Sequence, residues 1–400
     1  MLAFIAVGEI VSLWSRARIP ALLIAMLVAF VLTKVGIIPP DVVTTSTLVG
    51  LGTLIGPPLV VHMGTLMPLS VIRKQWRAVL ISVAGMVVGV GLVLAIVSPL
   101  FGFQYSVAGS GPLAGGIVST ALTTQGLTQK EVPSAILVVP TLVLMLQALP
   151  AMPLANQLLR RYALQLRRSG LVPETVSSDT VASPENIAVH GAAVSDETDS
   201  SAIMGPRQRT LVTWPDSLLN NQLFLLFLVL LAGTGAYYLG VWTGISYSIW
   251  ALVLGIGLAA VGILPDKVME RGNSFGLAMA ATIGLVISPL LGASMSDILA
   301  SLVPVVAILL IGMTGILIGG AVMTKLVGWN PRLGMAVALT AMFGFPADFL
   351  MVQEVARSTG RDDDERNAIR DKLLPPMLIG GFTSVSAGSV VIASILVGLL

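Results

Sequence analysis

From Ala78 to Ile96 the chain carries no charged residue, and Ala21–Leu32 is likewise free of charge. Such runs recur along the whole sequence and limit the fold more than any other feature. About 20 consecutive apolar residues let an α-helix cross the hydrocarbon core of a bilayer. Only 10% of the 400 residues are charged and 55% are hydrophobic, whereas a soluble domain carries roughly 25% charged residues. The 41 Gly and 23 Pro keep no three-residue period and fall mostly inside apolar runs, which excludes collagen-like and disordered chains. A β-barrel would alternate polar and apolar residues over about 10-residue segments, and these runs do not alternate. The expected class is an all-α polytopic membrane protein. With 0 Cys and 2 His, His62 and His190, disulfides, thiolate metal sites and thiol catalysis are excluded, and a His-rich metal site is disfavoured.

The first run, Met1–Trp14, lacks a basic segment and a small-residue cleavage site, so it reads as a first helix rather than a cleaved signal. Further spans are expected near 19–38, 44–68, 78–100, 133–158, 218–240, 245–264, 272–293, 299–325 and 373–399. Two interrupted apolar segments, 107–130 and 331–356, either cross the membrane or enter and return as re-entrant hairpins. The positive-inside rule separates these options. If both are hairpins, all of the 22 Lys and Arg except Lys34 and Lys130 fall on the cytoplasmic side. If both cross, the 22 divide evenly between the two sides. The hairpin arrangement is therefore expected, with ten spanning helices in the cell membrane and both termini outside. Trp76, Trp242, Tyr247 and Trp329 lie near predicted span ends, as interfacial aromatics do.

The sequence V-G-I-I-P-P-D-V-V at 35–43 is echoed by V-G-I-L-P-D-K-V-M at 261–269, and Ala121-Leu122-Thr123 by Ala338-Leu339-Thr340. The register is roughly kept, so each half holds five helices with a hairpin before the fifth. Five is odd, and the halves are therefore inverted relative to each other, as in secondary transporters. The expected units are 1–167, an N-terminal repeat, and 214–400, a C-terminal repeat. Between them 168–213, rich in Ser, Thr, Asp and Glu, reads as a flexible cytoplasmic linker, with His190 solvated. The run 357–372 reads as a charged cytoplasmic turn.

Irregular backbone at membrane depth is tolerated where protein buries it or where it lines a watery cavity. The two hairpin tips are therefore the expected site. Free N–H groups at helix N-termini attract carboxylates, and free carbonyls attract Na⁺. Substrate-binding candidates are Gly115, Gly116, Ser119, Thr120, Thr123, Thr124 and Gln125 in the first hairpin, Gly344 in the second, and Thr383, Ser384 and Ser386 in the last helix. Cation-binding candidates are Asp348, Thr340 and Ala347, beside Phe345 and Pro346. Asp348 is the most informative residue, because a carboxylate inside the membrane is expensive and by default functional. It can ligate Na⁺, carry a proton, or cap the returning helix. Glu354 is expected to face water or pair with Arg357. Glu9 reads as an interfacial acid, His62 as a structural histidine or a proton relay, and Gln147 marks the equivalent position in the first half's last helix.

No G-x-x-x-x-G-K-[ST] loop, H-E-x-x-H motif or nucleophile–base–acid set is present. The chain is thus not expected to be an enzyme or to need a cofactor beyond a coupling ion, Na⁺ before H⁺. An intramembrane enzyme, a channel and a proton-coupled exporter are the alternatives. The expected partners are the lipid bilayer and a small organic anion, with no nucleic acid.

Two five-helix halves, each with a hairpin before its fifth helix, resemble the glutamate:sodium symporter and 2-hydroxycarboxylate transporter superfamily. Gly115-Gly116 is similar to the Gly-Gly pair in the hairpins of those families, while the second hairpin has Gly344-Phe345-Pro346-Ala347-Asp348 instead. The resemblance implies a sodium-coupled symporter of small carboxylates, a homodimer, and an elevator-like motion of the hairpin-bearing domain against a scaffold.

Overall fold

The computed structural model describes residues 2–14, 21–39, 41–66, 75–169, 212, 214–219, 221–344 and 347–400. Most of the expected linker, including His190, lies outside these residues, as do Phe345, Pro346, Arg16, Arg18, Arg73, Lys74, Arg207, Arg209 and the Glu9 side chain.

The main helices are α1 (Leu2–Trp14), α2 (Ala21–Lys34), α3 (Leu48–Thr65), α4 (Trp76–Phe101), α5 (Phe103–Ala114), α6 (Gly116–Gln129) and α7 (Ser134–Arg168). They are followed by α8 (Gln222–Thr243), α9 (Tyr247–Val261), α10 (Phe275–Gly292), α11 (Met295–Leu326), α12 (Pro331–Leu339), α13 (Ala347–Thr359) and α14 (Asp363–Gly398). The chain is an all-α membrane protein. Among the described residues 7 helices are long and apolar enough to cross a bilayer: α3, α4, α7, α8, α10, α11 and α14. Three of the expected spans come out shorter, α1 at 13 residues, α2 at 14 and α9 at 15.

The helix ends follow local chemistry. Ser294 and Asp297 form a reciprocal capping box that starts α11, and Lys34 donates to the Ala293 carbonyl at the end of α10. The turn within the run 357–372 is short, residues 360–362 only. Helix α13 continues to Thr359, and α14 begins at Asp363, behind Asp362, whose carboxylate accepts the Glu365 N–H at 2.7 Å. Asp363, Asp364 and Glu365 fill the first turn of α14, where the helix dipole favours negative charge.

α4 and α11, of 26 and 32 residues, cross backbone to backbone. A Cβ at Gly315 would lie 2.6 Å from the Cα of Gly89. Small residues allow such an approach, and close packing is what holds apolar helices together in lipid. Around this crossing lies the larger apolar core, with Met86, Leu113, Leu127, Leu159 and Met377. A second core joins α3, α8, α9 and the start of α10, through Leu59, Val61, Val229, Ala251 and Ala278. Val118 and Leu122 of α6 and Val390 and Ala393 of α14 pack into that second core.

Candidate functional site

Helices α5 and α6 hold 12 and 14 residues, about 18–21 Å at 1.5 Å per residue, which is short of the ~30 Å hydrocarbon core. The chain reverses between them at Gly115 and Gly116. Gly116 has φ 44°, a conformation that a side chain disfavours. The two helices lie side by side, and a Cβ at Gly111 would overlap the Thr123 hydroxyl. The second pair is built differently. α12 ends in a 3₁₀ turn, Thr340–Met342, and Gly344 (φ 58°) donates its N–H to the Thr340 carbonyl at 2.8 Å before α13 begins at Ala347. Both feet of this pair are tied to one end of α7. Gln165 Oε1 accepts from Asn330 Nδ2 (3.1 Å) and Arg332 Nη1 (2.9 Å), and Arg167 donates to the Thr359 carbonyl (2.8 Å).

The two tips meet at the middle of α14. There the helix widens into a single π turn, Ser384–Gly388, a feature often found at functional sites. Val385 of this turn stands between the tips. A Cβ at Gly116 would lie 3.2 Å from Val385 Cγ1, and one at Gly344 2.8 Å from Val385 Cγ2. Gly115 is closed in by the Ser384 carbonyl and by Ser389, whose Oγ a Cβ would approach to 2.7 Å. The sequence thus marked the tips, and the tertiary fold brings them to one place.

Asp348 is completely buried. It is the second residue of α13, inside the helix rather than at its cap position. Its Oδ1 accepts the Phe349 N–H at 2.7 Å, while Oδ2 has no hydrogen-bond partner among the described residues. Oδ2 lies against Gly381 of α14, where a Cβ would overlap it. The neighbouring Gly380 faces Thr340, with Oγ1 3.0 Å from a Cβ there, and its carbonyl accepts from Ser82 of α4 at 3.1 Å. Asp348 and Thr340 thus face adjacent glycines of one helix; Ala347 opens α13. Ser82 and Gly381 join them, and only proximity reveals their part.

The hydroxyls are arranged differently from a ready-made anion site. Thr120 donates to the Gly116 carbonyl (2.7 Å), Thr123 to Ser119 (2.8 Å), Thr340 to Val337 (2.6 Å), Thr383 to Ile379 (2.7 Å) and Ser384 to Gly381 (2.9 Å). Ser119 and Ser386 likewise donate to Gly115 and Phe382. Ser and Thr inside helices commonly bond back in this way. Their oxygens remain as acceptors, which suits a cation better than an anion. Two buried hydroxyls, Ser389 Oγ against Gly115 and Thr124 Oγ1 farther along α6, have no partner among the described residues. Gln125 is already engaged: its Oε1 accepts from Tyr247 OH at 2.9 Å. Tyr247, which the sequence marked only as interfacial, therefore touches the candidate site.

Other candidates fall outside it. His62 is buried, its Nδ1 accepts the Met269 N–H at 3.3 Å, and its ring packs at 5.0 Å on Phe275. That geometry ties α3 to the start of α10. Glu354 pairs with Arg357 at 3.2 Å in an exposed ion pair. Gln147 sits at a joint of α7, its Oε1 buried and without a partner among the described residues. Among the described residues no group of three or more His, Asp and Glu could hold a metal ion. No protein-family model matches the chain, and a comparison with curated proteins returns no relative.

Proposed function

We propose that the protein is a secondary active transporter that carries a small organic anion, such as an amino acid or carboxylate, in symport with a cation. One observation carries this reading. Asp348 is fully buried with one oxygen unpartnered among the described residues, at the point where two helix-break-helix units converge on a π turn. Holding a charged carboxylate inside a membrane costs about 2.5–3.5 kcal/mol at a helix centre, so a fold that keeps one there gains from it elsewhere. Na⁺ is the favoured coupling ion, because the Thr340 hydroxyl and nearby carbonyls offer further hard oxygen ligands. H⁺ is the second reading. A protonated carboxyl needs no cation beside Oδ2, and the single donor on Oδ1 is compatible with it.

The order of elements supports an inverted repeat. α1–α4, the pair α5–α6 and α7 correspond in turn to α8–α11, the pair α12–α13 and α14. In this reading both short-helix pairs are re-entrant hairpins, entering from opposite sides of the cell membrane. The termini are outside, the linker is cytoplasmic, and the protein works as a homodimer with elevator-type alternating access, as the superfamily resemblance implies. Short half-helices meeting near the midplane are what transporters use to bind substrate and coupling ion together.

The test is uptake into proteoliposomes. A panel of radiolabelled amino acids and carboxylates is offered with an inward Na⁺ gradient, an inward H⁺ gradient, or none. Accumulation that requires one gradient supports the reading. Ungated flux in the absence of a gradient would identify a channel, and chemical conversion of an added compound an enzyme.

A further inference from the structure

We propose that the N-terminus of α9 is a latch, which holds the hairpin-bearing helices in register against the α3–α8–α9 core. Two hydrogen bonds cross from one turn of α9. Tyr247 OH donates to Gln125 Oε1 of α6 at 2.9 Å, and Ser394 Oγ of α14 lies 2.9 Å from Ser248 Oγ and 2.6 Å from its own Val390 carbonyl. Ser246 Oγ lies 2.7 Å from Ser248 Oγ and extends the chain of hydroxyls. Gly56 of α3 makes room for it: a Cβ there would lie 3.4 Å from Tyr247 OH and 3.7 Å from Gln125 Nε2.

The surroundings give these bonds their effect. The contact between the two bodies also holds Val118, Leu122, Val390 and Ala393 on one side and Leu59, Val61 and Ala251 on the other. Apolar contact is non-directional, so such a seam tolerates sliding. Hydrogen bonds are directional and fix one register. Because both leave from adjacent residues of one helix, any shift of the hairpin-bearing body along α9 breaks them together. Ser248 and Ser394 are buried; a shift that parts them leaves Ser248 on Ser246 and Ser394 on its own Val390 carbonyl, so the directional cost falls mainly on the Tyr247–Gln125 bond.

The consequence for uptake rests on the transporter reading, whereas the latch itself can be tested without a substrate. The chain has 0 Cys, so a single cysteine reports alone. Ser248→Cys in nanodiscs is exposed to a maleimide that reaches both faces, with and without Tyr247→Phe. Loss of one interhelical bond should raise the unlatched population, and thus the labelling rate, about threefold. A control cysteine at Ser301, buried on α11 where its hydroxyl meets the Ala135 carbonyl, should label at an unchanged rate. An unaltered Ser248→Cys rate overturns the latch, and so does an equal rise at Ser301→Cys, which would mean general loosening. A second arm uses Ser248→Cys with Ser394→Cys. The disulfide should arrest uptake, and reductant should restore it. Full uptake by the oxidised protein overturns the latch. No uptake by the wild type under any gradient overturns the transporter reading, and the labelling result then decides the latch by itself.

Discussion

The carboxylate of Asp348 lies against Gly381, so that one residue of α13 and one of α14 share a space with no room for a methyl group. Gly381→Ala would push a Cβ onto Oδ2. Overpacking of this kind costs about 1–3 kcal/mol, and the melting temperature of the purified protein should fall. Gly276→Ala on α10 meets nothing within 4 Å and should hold or raise it, since Ala is favoured over Gly in a helix by about 1 kcal/mol. Equal behaviour of the two variants would separate Gly381 from the Asp348 site.

Asp348→Asn keeps the oxygen that accepts from Phe349 and removes the charge. The fold should survive. If Asp348 ligates Na⁺, apparent Na⁺ affinity in uptake assays should fall at least tenfold, about 1.4 kcal/mol. If it carries a proton, pH-dependent accumulation should disappear while substrate exchange persists, because Asn resembles the protonated acid. Wild-type ion dependence in this variant would rule out both roles.

Gln165 and Arg167 tie both feet of the α12–α13 pair to α7. Replacing Arg167 by Ala removes a charge-assisted bond to the Thr359 carbonyl, worth about 1.5–3 kcal/mol at most. Backbone amides from about Ala356 to Arg366 should exchange hydrogen faster, with α4 and α11 unchanged. Hydrogen exchange followed by mass spectrometry reads this directly.

His62→Phe fills a similar space and leaves the Met269 N–H without its acceptor. A buried unsatisfied donor costs about 1–3 kcal/mol. The melting temperature should drop, and the ion dependence of uptake should stay as in the wild type. A changed coupling ion or stoichiometry would instead make His62 a proton relay.

Ser195 belongs to the polar stretch between the halves. In intact cells Ser195→Cys should resist a membrane-impermeant thiol reagent and react once the membrane is opened. Ready labelling from outside would overturn the proposed sidedness.

Composition and charge placement were enough to identify an all-α membrane protein. Apolar runs can be satisfied in lipid only by helices that close their own backbone hydrogen bonds. The breaks at Gly115–Gly116 and Gly344 were marked by glycine in segments already interrupted in hydropathy, while the glycines of α4 and α11 run through their helices unbroken. Two features escaped. The acidic run 362–365 looked like a solvated turn, yet the same charges start α14, because a carboxylate suits a helix N-terminus as well as it suits water. The spans α2 and α9 looked long enough, because hydropathy does not show where a helix ends, whereas the run Met1–Trp14 was already short of the ~20 residues a crossing needs.

Sequence alone determined that Asp348 sits in an apolar setting and that hydroxyl-rich segments occur in the first broken segment and in the last helix. Tertiary structure decided what surrounds them. It set Val385 between Gly116 and Gly344, placed Gly381 against Asp348, turned most tip hydroxyls back onto their own helices, and joined Tyr247 to Gln125. These contacts span up to hundreds of residues along the chain and depend on how close two backbones approach. That distance is set by packing between helices, which no local pattern of residues encodes.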